Sequence, residues 1–119
     1  MSLDPSMYSY IFSDLSEKDA KFSMSQMTNH SLISFFGATS YAAWKYIPTT
    51  FLLPEGDMII APEKQLAMVE HAKSVGAEII VEKKEGVGHV PMLSQPEWVV
   101  GALIRAAEKS MEVGGEVKL

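Results

Sequence analysis

Cysteine is absent from the 119-residue chain. That excludes disulfides, thiolate nucleophiles and cysteine-ligated zinc. A reducing compartment is compatible with it, and the cytoplasm is the expected location. Basic clusters are missing as well. Ten Lys and Arg stand against fifteen Asp and Glu, for a formal net charge of −5. Phosphate binding wants a basic face, so nucleic acid is not an expected partner. Nor does such a charge draw the chain to an anionic membrane surface. No apolar run approaches the length of a membrane span, and the first residues show no basic-then-apolar leader pattern. No two of the three histidines have zinc-motif spacing, so neither a metal nor another cofactor is expected.

What is present is ordinary for a globular protein: 47% hydrophobic and 21% charged residues. The length suits one domain over residues 1–119. Residues 1–15 are aromatic and polar without a clear period. Ser16-Glu17-Lys18-Asp19 resembles a capping box and predicts a helix to about Met27. Asn29-His30-Ser31 reads as a break, and Leu32 to Phe36 as a short apolar piece ended by Gly37. Thr39 or Ser40 suits the cap of a short helix over Tyr41–Lys45.

From Pro48 the character changes. Thr49–Leu53 is rich in β-formers and nearly all apolar, as expected of a strand covered on both faces. Pro54-Glu55-Gly56-Asp57 is a turn signal. Pro62 opens a helix with Leu66, Val69, Ala72 and Val75 on one stripe and Met68 beside it, and Gly76 suits its C-terminal cap. A second strand is expected over 77–82. Gly86-Val87-Gly88-His89 is a glycine-rich turn. Ser94 and Glu97 are spaced as a capping box, with Pro96 in the first turn of a last helix. Its Val99, Val100, Leu103, Ile104, Ala107 and Met111 form an amphipathic stripe, and Gly114-Gly115 should stop it before a fraying tail.

Strand, helix and strand make a βαβ unit with parallel strands and a right-handed crossover. Sites in parallel sheets lie beyond the carboxyl ends of the strands. Asp57 follows the first strand at that end and His89 follows the second. The topology therefore brings both to one edge and predicts an Asp–His hydrogen bond. Each has a plainer reading. Asp57 also suits capping its own turn, and His89 suits an ordinary loop histidine. Glu55 is a second candidate acid. His71 is expected in packing, His30 in solvent, and Trp44 and the eight methionines in core or interface gaps.

Leu53-Pro54-Glu55-Gly56-Asp57-Met58-Ile59-Ile60-Ala61-Pro62 resembles the strand–turn–Asp segment of α/β-hydrolases. Gly86 to Glu97 resembles their histidine segment, with the glycines, the histidine, Pro91 and the following helix start all in place. Residues 12–46 resemble the end of the lid, in the manner of small esterase and hydroxynitrile-lyase-like members. The resemblance covers about residues 10–112. It implies a truncated α/β-hydrolase-like α/β fold: lid-like helices over 1–46, then a βαβα segment over 47–112. It also implies Asp57 as the acid and His89 as the base. The family's triad runs Ser, Asp, His. This sequence has no G-x-S-x-G and no match to the strands that carry the oxyanion hole, so no nucleophile carries over.

An Asp57–His89 dyad still moves protons near neutral pH. It needs no protein nucleophile when water, or an enol or hydroxyl of the substrate, attacks the carbonyl. The chemistry expected is cyclisation or lactonisation of the pyrone type, or hydrolysis, on a polyketide-like acyl substrate in natural-product biosynthesis. The alternatives are a non-catalytic remnant that serves as a dimerisation or interaction module, and a fragment of a longer serine esterase. Two parallel strands make a poor sheet alone, so a homodimer is the expected assembly.

Overall fold

The computed structural model describes residues 4–114. The amino-terminal part, expected to be lid-like, consists of short pieces. A 3₁₀ turn (Pro5–Met7) leads into α1 (Tyr8–Ile11), and α2 spans Glu17–Ser25. Ser16 caps α2 by accepting the Asp19 N–H at 3.1 Å. The helix ends two residues short of the expected Met27, because Gln26 and Met27 turn back to Ser23 and Met24 in a tightened last turn. Two 3₁₀ turns follow, Leu32–Phe36 and Ala43–Lys45. The second replaces the helix expected over 41–45. Its first residue follows Ala42, and no side chain caps it.

The remainder is one βαβ unit with two further helices. β1 (Thr49–Pro54) and β2 (Ile79–Lys84) pair in parallel, with Thr49 opposite Ile79 and Pro54 opposite Lys84. Between them runs α3 (Pro62–Ser74), which turns Gln65, Val69 and Ala72 inward. β2 begins two residues later than the sequence suggests, and the reason lies in how α3 ends. Gly76 sits at φ +96. Its N–H bonds Lys73 O at 3.0 Å, and the Ala77 N–H reaches back to Ala72 O at 3.1 Å. This is a complete Schellman closure. It uses Ala77 before the strand can start, and it buries Ala77 beside Ala72.

After β2 the chain makes a short helix, α4 (Pro91–Ser94), and then α5 (Pro96–Gly114). The capping box expected at Ser94 does not form. Ser94 is the last residue of α4, and its hydroxyl points back to Val90 O. Gln95 O instead accepts the first α5 bond, from Val99 N–H. Gly115 and the tail lie outside the described residues. α5 is tied to β2 by Arg105, which makes two hydrogen bonds to Glu82.

The core is small. Leu53, Val69 and Val87 are its largest fully buried side chains. β1 is buried only at Leu53 and Pro54, so the expectation of cover on both faces holds at its carboxyl end alone. The apolar stripe of α5 is mostly open, with Leu103 64% exposed and Met111 66%. The radius of gyration is 16.9 Å, against about 13–14 Å for a compact chain of this length. Among the described residues no helix is long and apolar enough to cross a membrane.

Leu53 anchors the strand end from which the Asp57 turn departs. Leu53→Ala should cost about 2–5 kcal/mol, read as a lower urea midpoint with an unchanged slope. A midpoint within error of the wild type would contradict this placement of the core.

Candidate active site

Two turns leave the carboxyl ends of the strands and are stitched together by the backbone. Glu55 N–H donates to Lys84 O at 3.0 Å, and Gly56 N–H to Val87 O at 2.9 Å. A side chain at Gly56 would strike that carbonyl, since an ideal Cβ would lie 2.9 Å from Val87 O. Gly86, at φ +71, lets the second turn reverse. Val87 then plugs into the core, and His89 emerges beside Asp57.

His89 Nδ1 lies 3.0 Å from Asp57 Oδ2 and 3.1 Å from Oδ1. The carboxylate can only accept, so Nδ1 carries the proton and donates it, which leaves Nε2 as the basic nitrogen. The Asp57 side chain is 4% exposed and that of His89 is 31% exposed. Asp57 has further partners. Its Oδ1 accepts the N–H groups of Ile59 at 2.8 Å and Ile60 at 3.0 Å. Its Oδ2 accepts Gln65 Nε2 at 3.0 Å, and the same amide donates to Ile60 O at 2.7 Å. The two readings of Asp57 are thus both met in the geometry: it caps its own turn and holds the histidine. Burial pushes the Asp57 pKa up. The His89 hydrogen bond, the Ile60 and Ile59 N–H groups and the His89 charge together outweigh it and hold the carboxyl below its usual 3.8.

The other candidates stand apart. Glu55 is exposed, and its carboxylate takes no part in this network. His71 is exposed on α3 and borders, with Trp44, Phe51 and Met68, a largely apolar hollow of about 360 Å³. His30, expected in solvent, is exposed but engaged. Its Nε2 lies 2.6 Å from Ser34 Oγ, and its ring meets Phe35 edge-on. Among the described residues five methionines are exposed and fill no core gap: Met27, Met58, Met68, Met92 and Met111. Among the described residues no group of three or more His, Asp or Glu converges as a metal site.

His89 borders an open cavity of about 590 Å³, a surface hollow between the α1–α2 segment and the histidine turn. Ile11, Phe12, Phe22, Met27, Val90 and Leu93 form its apolar wall, and Ser23 and Gln26 are its polar members. A base at the mouth of such a cavity can take a proton from a ligand or a water held there. Sequence reasoning missed Gln65 and the lid residues of this wall. Gln65 on an otherwise apolar inner face of α3 is the one signal that pointed to a buried polar partner.

The model of the Alpha/beta hydrolase family matches residues 3–102. An alpha/beta hydrolase, nvfD, of Aspergillus novofumigatus is 30% identical over 103 residues, which are 87% of this chain and 40% of that protein. A probable hydrolase of a Phoma species is 35% identical over 72 residues, 60% of this chain and 29% of that protein. The chain thus spans well under half the length of these curated relatives. No solved structure matches it significantly.

The depressed Asp57 pKa has a consequence for stability. A carboxyl whose folded pKa lies below its unfolded value stabilises the fold above the unfolded pKa, about 3.9. That contribution is lost as pH falls through the folded value. Asp57→Asn should therefore lower the unfolding free energy at pH 7 and flatten its fall below about pH 4. Urea titrations from pH 2 to pH 7 test this. Parallel curves for variant and wild type would contradict it.

Proposed function

The chain belongs to the alpha/beta hydrolase family, and from that premise we propose that it carries out acyl chemistry with Asp57 and His89 as a general acid/base dyad. The observation that carries this reading is the hydrogen bond from His89 Nδ1 to the buried Asp57, with the same imidazole facing the cavity. His89 Nε2 takes a proton from the attacking oxygen, and Asp57 stabilises the imidazolium. The oxygen closes on the acyl carbonyl, the leaving oxygen or sulfur departs, and His89 returns the proton to it. When the attacker is water, the result is hydrolysis. When it is an enol or hydroxyl further along the same acyl chain, the result is a lactone or pyrone. The largely apolar wall suits a polyketide-like acyl chain, and Ser23 and Gln26 suit its oxygens. No side chain needs to act as nucleophile. The cysteine-free composition suits a reducing compartment, and the cytoplasm is the location we propose.

His89→Ala and Asp57→Asn should each reduce kcat by about 10²–10⁴ on a substrate found in a panel of activated esters, thioesters and diketo-acyl thioesters, with unchanged circular dichroism. Folded variants with full activity would sink the dyad.

A second proposal concerns assembly. The stripe of Val100, Leu103, Ile104 and Met111 on α5 is uncovered, and Ile33 and Phe36 of the lid are about four-fifths exposed. Exposed apolar side chains in such numbers mark an interaction face. We propose a second copy as the partner, since a two-fold contact lets one face cover itself. Light scattering should give twice the chain mass, and Leu103→Glu should give a monomer. A folded wild-type monomer would favour the other reading of the same stripe, in which the rest of a longer serine hydrolase covers it.

A further inference from the structure

Asp14 lies in the turn between α1 and α2, in the lid-like part and 74 positions before the residue it holds. Its Oδ2 accepts the Gly88 N–H at 2.8 Å. Gly88 immediately precedes His89. The contact is steric as well as polar. An ideal Cβ at Gly88 would lie 2.5 Å from Asp14 Oδ1, 2.9 Å from its Cγ and 3.0 Å from Ser13 Oγ. Gly88 does not need glycine for its backbone angle, because among the described residues only Gly76 and Gly86 have positive φ. Glycine at 88 makes room for the Asp14 carboxylate.

The carboxylate is held at a cost. Its Oδ1 is buried without a hydrogen-bond partner among the described residues, and an unsatisfied buried polar atom calls for a reason. Packing alone would be served better by an apolar side chain. The chemistry of a charged acceptor aimed at one N–H supplies the reason. It fixes the plane of the peptide before Gly88, in a loop whose two glycines would otherwise let it swing. A small rotation at Gly88 would carry the His89 ring away from Asp57. The same turn also builds the cavity, since neighbouring Ile11 and Phe12 line its wall and Phe12 is buried. We propose that Asp14 is the positioning residue for His89, a charged acceptor that locks the histidine turn to the lid segment forming the cavity wall.

The proposal rests on the reading of His89 as the base, but its test needs no turnover, so the two can fail separately. In the ¹⁵N-labelled 119-residue chain, Asp14→Ala should speed exchange of the Gly88 amide about tenfold or more. It should also shift or broaden the downfield His89 Nδ1–H resonance, while β2 amides stay protected. Asp14→Asn, which keeps an acceptor, should restore the His89 signal. Unchanged Gly88 exchange and an unchanged His89 resonance in folded Asp14→Ala would overturn the proposal, as would an Asp14→Asn spectrum no better than that of Asp14→Ala. Should Asp14→Ala fail to fold, the wild type still decides. A scalar coupling across the hydrogen bond should link its Gly88 amide nitrogen to the Asp14 carboxylate carbon, and the absence of that coupling would overturn the assignment.

Discussion

Everything at the site depends on one buried carboxylate. Asp57 is nearly removed from water, yet it accepts from Ile59, Ile60, Gln65 and His89 at once. A buried charge persists only when hydrogen bonds replace its lost hydration. Here each bond has a second effect. The two backbone donors set the turn after β1, Gln65 ties that turn to α3, and His89 ties it to the turn after β2. His89 is thus the outer end of a network whose inner end organises the sheet edge.

Among the described residues the sheet is two strands wide, and much of the apolar surface of α5 and of residues 32–47 is exposed. Stability is therefore concentrated where the site is. Leu53, Val87, Val69 and the Schellman closure of α3 lie within the same unit as the Asp57 and His89 turns. The open faces are on α5 and in the lid-like segment, where another surface can be received without disturbing that unit.

Periodicity and turn chemistry made the βαβ unit legible in the sequence. Alternating strand, helix and strand signals survive without tertiary help, and Asp57 and His89 fall beyond the strand ends by topology. The details that were not legible are those decided by competition at element ends. Ser94 and Glu97 have the spacing of a capping box, but Pro91 starts α4 earlier and draws Ser94 into it. Ala77 has strand neighbours, but the α3 cap takes its N–H first. The α5 stripe is plain in the sequence, which says that a face is apolar without saying what meets it. Asp14 carries no local pattern at all, because its partner is 74 residues away.

The central claim is that His89 is held with Nδ1–H on Asp57 and a bare Nε2 toward the cavity. Long-range ¹H–¹⁵N correlation of the imidazole at neutral pH tests it directly, with and without a non-cleavable acyl thioether as ligand. The expected result is the Nδ1–H tautomer, with an Nε2 resonance that moves when the ligand binds. A ring protonated at Nε2, or an Nε2 resonance that ignores a ligand bound in the cavity, would contradict it.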